Sequence, residues 1–183
     1  DGVRLGATAI GYTLYVGSTR QDEGLKQLGE VRADCEKYGL PLVVWSYPRG
    51  SAVASKGGQD SFYAIDYASR MAMEMGADIV KINMPKVGLD SDADSPAPYN
   101  KMKVEQQEAI RQCVESAGRS LVVLSGGSKA SDAEVLDMTK MVMKAGGSGV
   151  IYGRNIWQRK PAAAKKIVSA ISETLTKNVI RTP

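Results

Sequence analysis

Histidine is missing altogether from the 183 residues. Its absence removes the commonest general base near neutral pH and the commonest transition-metal ligand. Cysteine occurs only twice, as Cys35 and Cys113. Without histidine, two cysteines argue against a zinc site. Both sit in helix-like sequence, and they read as free, half-buried thiols of a cytosolic protein rather than as a disulfide. Acid–base chemistry therefore falls to lysine, tyrosine, aspartate or glutamate. No apolar run approaches the ~18 residues that a membrane span needs. No block of Lys and Arg marks a nucleic-acid tail, and no signal peptide is visible. Neither membrane nor nucleic acid is expected as a partner.

The residues present describe an ordinary globular chain, 43% apolar and 24% charged, with a formal net charge of +4 spread along its length. That length suits one domain with a sizeable core. The mild positive balance also suits an anionic small molecule. Strand-like and helix-like segments alternate five times. The apolar runs Ala7–Val16, Pro41–Tyr47, Ala77–Asn83, Ser120–Ser125 and Ser148–Tyr152 read as parallel strands buried on both faces. Between and after them, Asp22–Tyr38, Ser61–Met75, Asn100–Ala117, Ser131–Ala145 and Pro161–Thr176 read as helices. Ser131 with Glu134 forms an S-x-x-E capping box, and Gly39, Gly76, Gly118 and Gly146 each stand where a helix should stop. The six methionines of the second and fourth of these helices read as core filler.

Repeated βα units predict a parallel sheet with right-handed crossovers. An open doubly wound sheet and part of an eight-unit barrel both fit. The repeat pattern alone favours the open sheet, because five units complete it. The loops before the strands are short, and two loops after them, Pro48–Asp60 and Met84–Tyr99, are long and polar. In either architecture the site belongs at those carboxyl ends. Asp90–Pro98 reads as a solvated surface loop, with a mobile lid as the sharper alternative. The chain begins at Asp1, not Met, in strand-like sequence, as a chain starting mid-fold would.

Three constellations carry candidate chemistry. Lys81 closes the run Gly76–Lys81; an amine held where water is scarce loses its charge more easily and can attack a carbonyl. The same lysine is readable as one that snorkels to solvent. Trp45, Tyr47 and Arg49 share one side of an extended strand by its period of two. A tyrosine hydroxyl there could shuttle protons in a protein without histidine; an aromatic pair in the core is the plainer alternative. Finally, Ser125-Gly126-Gly127-Ser128 and Gly153-Arg154-Asn155 each follow a short strand. Glycines let backbone N–H groups approach an anion, and arginine adds a forked donor. Two tight βα turns would look the same. Gly11, inside the first strand, marks a bulge or a close approach.

Five stretches, in order and spanning nearly the whole chain, resemble one family: DGVRLGATAIGYTLYVGS, GLPLVVWSYPRG, GADIVKINMP, LSGGSKASDAEVL and GSGVIYGRNIWQR. Together they resemble the archaeal-type, or DhnA-type, class I fructose-1,6-bisphosphate aldolases. The resemblance implies a (β/α)8 TIM barrel whose last five βα units are those above, displacing the open sheet. It implies that Lys81 forms a Schiff base, that Tyr47 is the acid–base residue and that Trp45 lines the substrate pocket. Ser125, Gly126, Gly127, Gly153 and Arg154 would bind a substrate phosphate. No cofactor and no metal are implied. A phosphorylated sugar is the implied partner, in a cytoplasmic homo-oligomer serving glycolysis or gluconeogenesis.

The family has three further βα units, including a catalytic aspartate, with no counterpart in this sequence. Eight units at this spacing would need on the order of 290 residues. Residues 1–183 alone, with open strand edges, are expected not to fold into an active monomer. Two rival readings stay open. One is a related reaction of the same family, amino-dideoxy-heptulosonate synthesis or the processing of phosphorylated signalling sugars. The other is a truncated, non-catalytic barrel.

Overall fold

In the computed structural model, which describes residues 1–177, five parallel strands lie in the order β1 Ile10–Val16, β2 Leu42–Pro48, β3 Ile79–Asn83, β4 Leu121–Ser125 and β5 Gly149–Ile151. The helices are α1 Gln21–Tyr38, α2 Ser51–Ala54, α3 Phe62–Glu74, α4 Gln106–Ser116, α5 Asp132–Lys144, α6 Arg154–Trp157 and α7 Pro161–Lys177. Each strand pairs with the next in sequence. This order decides between the two architectures. A doubly wound sheet must reverse its strand order to place helices on both faces. Right-handed crossovers that always step the same way place every helix on one face. The sequential order is that of a barrel wall, and the open-sheet preference drawn from the repeat alone is corrected.

The two faces differ accordingly. Leu14, Val44, Val80, Ile82, Val122 and Leu124 point into the helix layer and are buried. There they meet Leu28, Ile65, Ala68, Ala72, Ile110 and Cys113. The opposite face carries Tyr15, Leu121 and Ile151, which are 51%, 53% and 41% exposed. Alternation along each strand assigns both sets. Apolar side chains on the uncovered side have the spacing of a barrel interior.

Two serines of the helix layer are matched to backbone carbonyls. Ser46 donates to the Ala68 carbonyl at 2.8 Å and Ser69 to that of Cys113 at 2.6 Å. At the amino ends of the strands, Asp78 accepts the Leu42 N–H at 2.7 Å while its own carbonyl accepts from Leu121 at 2.9 Å. One residue thus fixes three strands in register. Cys35 and Cys113 are buried and unpaired.

The helix boundaries follow the side-chain signals. Ser131 and Glu134 cap α5 reciprocally, at 2.7 and 3.3 Å. Gly39 ends α1 at φ +64° with a left-handed turn. The first strand starts at Ile10 rather than Ala7, because residues 2–6 fold into consecutive turns closed by bonds such as Ala7 N–H to the Gly2 carbonyl. The third starts at Ile79 because Ala77 closes the end of α3 by donating to Ala72.

Residues 90–101 differ most from the open-loop expectation. Two 3-10 turns, Asp90–Asp94 and Tyr99–Lys101, hold them down. Ser91 donates to the Gly57 carbonyl at 2.9 Å and Tyr99 to Asp66 at 2.5 Å. The Tyr99 ring sits edge-on to Phe62 and Tyr63, both at 5.3 Å. None of residues 90–99 lines the cavity described next, so the lid alternative is not supported.

Candidate active site

The carboxyl ends of β2 to β5 enclose a cavity of about 990 Å³. Lys81 lies at its floor, in the middle of β3 rather than at its end, and is 6% exposed. Its Cα is the register partner of Trp45 on one side and Val123 on the other. The amine donates to the Tyr47 hydroxyl, and the Tyr47 ring centroid is 4.6 Å away. Burial lowers the lysine's pKa from its usual 10.5 to about 8, because a charged amine is poorly solvated there. Burial raises the Tyr47 pKa, with Arg49 opposing it from above the ring at 5.5 Å. The pair is therefore an amine that gives up its proton far more readily than an exposed lysine, beside a phenol that keeps its own. Such an amine can attack a carbonyl, and such a phenol can donate and recover a proton.

Two glycine-bearing turns form the far wall. Gly126 and Gly127 follow β4, and Gly153 and Arg154 follow β5; all four line the cavity together with Ser125. Arg154 reaches across to the Gly127 carbonyl at 3.1 Å. Ser125 donates to Asn83 at 2.7 Å. Gly126 spends its N–H on the Ile151 carbonyl at 3.2 Å, so its role in the wall is shape. A Cβ on residue 126 would lie only 2.1 Å from the Tyr152 ring. Among the described residues, the N–H groups of Gly127, Ser128 and Gly153 have no acceptor in the protein. Free N–H groups beside a guanidinium suit a phosphate.

Of the site residues expected from the sequence, Trp45 alone does not line the cavity. Its ring rests on Gly11 of β1, where a Cβ would stand 1.9 Å from the ring carbon Cζ3. Gly11 pairs with Val43 in an unbroken ladder, so it marks a close approach and not a bulge.

Asn155 was named in the sequence only as a member of the second turn, with no role of its own. Its side chain, 2% exposed, donates to the carbonyls of Gly126 and Ser128, both at 3.0 Å, and accepts from the Ala130 N–H at 2.7 Å. It is the strut that shapes the first glycine turn. The signal that could have found it is an asparagine directly after the Gly-Arg of the second turn.

Sequential parallel strands, helices on one face and a polar cavity at the carboxyl ends put the protein in the class of βα-barrel folds. More narrowly, the chain belongs to the family described as DeoC/LacD family aldolase, whose model matches residues 2–159. Curated relatives include the class 1 fructose-bisphosphate aldolase of Halobacterium salinarum, 37% identical over 87% of this chain. That of Thermoproteus tenax is 34% identical over 94%. The chain spans 52% and 57% of their lengths. Among solved structures, an archaeal fructose 1,6-bisphosphate aldolase superposes with a TM-score of 0.78 at 34% identity, over 96% of this chain and 61% of its own. Another, at 0.77 and 33%, has its catalytic Lys covalently bound to the carbinolamine intermediate of the substrate; 95% of this chain covers 60% of it. These neighbours are TIM barrels, of which the present chain covers part.

Proposed function

We propose that the protein is a Schiff-base class I aldolase that cleaves and forms fructose 1,6-bisphosphate. In this reading the chain supplies five of the eight βα units of one barrel, and further units cover the exposed face of the sheet. The observation that carries the proposal is Lys81, buried in mid-strand with its amine against the Tyr47 hydroxyl.

Neutral Lys81 attacks the C2 carbonyl of the ketose, and loss of water from the carbinolamine gives a protonated imine. Removal of the C4 hydroxyl proton then breaks the C3–C4 bond. The bonding electrons move into the imine to give an enamine, and glyceraldehyde 3-phosphate leaves. Protonation of the enamine at C3 and hydrolysis release dihydroxyacetone phosphate and restore Lys81. Tyr47 gives its proton to the hydroxide that leaves the carbinolamine, takes the C4 hydroxyl proton as the phenolate so formed, and passes that proton to C3 of the enamine. Gly127, Gly153 and Arg154 hold the phosphate next to the carbonyl, Gly126 and Ser125 shape that pocket, and Trp45 sets the wall behind Lys81. Holding one end of the substrate fixes the carbonyl within reach of the amine.

The iminium supplies the electron sink, so cleavage is expected to be insensitive to EDTA. Homologous aldolases of similar sequence and two free buried thiols support a cytoplasmic enzyme of glycolysis or gluconeogenesis. Assembly into a homo-oligomer belongs to the same proposal. Borohydride trapping with dihydroxyacetone phosphate, on protein purified at its native length, tests the central claim. A reduced adduct on the peptide containing Lys81 supports it; no adduct on folded protein removes the Schiff-base mechanism.

A further inference from the structure

Asn83 is a half-buried amide of the cavity wall to which the scheme above gives no task. It stands two residues beyond Lys81 on β3, so both side chains project from the same face of the strand. Its Cα is the register partner of Ser125 on β4. On the other side, Trp45 of β2 is the partner of Lys81, so Tyr47 comes level with Asn83 two residues further on. Tyr47, Asn83 and Ser125 thus form a row across three strands at the carboxyl end, and the Lys81 amine rises from below to meet the first of them.

The amide is oriented by its neighbour. The Ser125 hydroxyl donates to Asn83 Oδ1 at 2.7 Å. An amide group is planar, with oxygen and nitrogen on opposite sides. With the oxygen held toward β4, the Nδ2 group turns away from β4, to the side on which Lys81 meets Tyr47. Asparagine has two N–H donors on that nitrogen. Among the described residues they have no acceptor in the protein. The carboxylates of the cavity do not claim them: Asp60 faces Lys86, Glu134 caps Ser131 and Asp137 pairs with Lys140.

An oriented donor with no acceptor, beside a nucleophile, has a use in the first step of imine formation. The Lys81 nitrogen forms a bond to C2, and the π pair of the carbonyl moves onto its oxygen. Negative charge appears on that oxygen before any proton reaches it. A carbonyl oxygen accepts two hydrogen bonds, one on each side. Tyr47 on β2 supplies one donor and Asn83 the other, with neighbouring strands about 4.8 Å apart. The amide gives up no proton, so the later transfer to the leaving hydroxide stays with Tyr47.

We infer that Asn83 is a catalytic residue that donates a hydrogen bond to the oxygen on C2 as Lys81 attacks, and that Ser125 holds it in place to do so. This inference rests on the aldolase reading above and adds a donor for the developing oxyanion. Such a donor counts most when it is fixed before the charge forms.

Single-turnover formation of the imine tests it. The protein, at its native length, is held in excess over dihydroxyacetone phosphate, its concentration is varied, and borohydride quenches the mixture at increasing times. In Asn83→Ala the maximal rate of adduct formation on Lys81 falls about 10²- to 10³-fold. The concentration giving half the maximal rate changes little, because the lost bond belongs to the transition state. Asn83→Asp keeps the shape and the bond from Ser125 but has no N–H to donate, and it is at least as slow. An aspartate variant that keeps the wild-type rate would overturn the inference, since shape alone would then suffice. A higher half-saturation with an unchanged maximal rate would overturn it too, because Asn83 would then grip the bound sugar and not the oxyanion. If wild-type protein traps no adduct, the aldolase reading falls and this role with it. If wild type and both variants trap it equally fast, Asn83 alone is misassigned.

Discussion

The Lys81 amine and the Tyr47 hydroxyl meet across neighbouring strands, with the ring centroid 4.6 Å from the nitrogen. Each changes what the other can do in a site without histidine. Burial brings the lysine to about 8, while burial moves the tyrosine above its usual 10. Between these values the amine is free and the phenol still holds its proton. Their order is that of a nucleophile paired with an acid.

A pH profile follows from that order. Below about 8 Lys81 binds a proton and cannot attack, so kcat/KM falls tenfold per pH unit on the acid side. It levels above about 8, and an alkaline limb appears only where Tyr47 ionises, above pH 10. At pH 7.5 about a quarter of Lys81 is neutral, against about one part in a thousand for an exposed lysine. Initial rates from pH 6 to 10 read this directly. An acid limb centred near 10 would show that the reacting amine is not depressed by burial.

Replacing Tyr47 by Phe separates imine formation from proton transfer. The ring, its packing and the Arg49 contact remain, while the hydroxyl is lost. Turnover of fructose 1,6-bisphosphate is expected to fall by about 10²- to 10⁴-fold, with borohydride still trapping dihydroxyacetone phosphate on Lys81. A variant that turns over normally would remove Tyr47 from the chemistry.

Lys81 also costs stability, and the cost depends on pH. The folded protein releases this proton near 8, the unfolded chain near 10.5. Between those values the unfolded state holds more protons, so stability rises with pH; below 8 the full cost of a buried ammonium is present. Lys81→Met is therefore expected to stabilise the protein by on the order of 1–3 kcal/mol at pH 7, where one pKa unit is worth about 1.4 kcal/mol. The gain should shrink between pH 8 and 10.5. Thermal melts of both proteins at pH 7 and 10 check it. A variant less stable at pH 7 would show that the aliphatic stem matters more than the charge.

The five βα units were legible in the sequence because their cores obey two simple periods: Val80 and Ile82 on β3, Ala68 and Ala72 on α3. The α5 cap was legible because Ser131 and Glu134 are local. The strand order was not, since apolar runs look alike in a barrel and in an open sheet. Lys81 and Tyr47 could be proposed separately, but their contact depends on the register of β2 on β3. Trp45 was placed on the right face yet turned aside by Gly11. The role of Asn155 escaped because its three bonds reach back at least 25 residues, to the other glycine turn, a contact that only the fold creates.

Gly11 makes a sharp test of the wall behind Lys81. Alanine at this position would put a methyl group 1.9 Å from a Trp45 ring carbon, so the indole must move. Trp45 is the register partner of Lys81, and its displacement reaches the site. Gly11→Ala is expected to shift tryptophan fluorescence and to lower kcat several-fold, with a loss of about 1–3 kcal/mol in stability from overpacking. Unaltered fluorescence and activity would mean that the ring has room to yield.

Asn155 gives the most discriminating prediction for the phosphate wall, because it touches the loop and not the amine. Alanine there removes three hydrogen bonds from a buried position and leaves the carbonyls of Gly126 and Ser128 without donors. The expected loss of stability is about 2–4 kcal/mol, at roughly 1 kcal/mol per bond. The first glycine turn should loosen, so that KM for a phosphorylated substrate rises more than kcat falls. The pH limb near 8 should stay in place, since the Lys81 environment is untouched. Asn155→Asp should be worse, because a carboxylate would face two carbonyl oxygens where the amide donates. If kcat collapses with KM unchanged, the turn governs the chemistry at Lys81 instead of holding the phosphate.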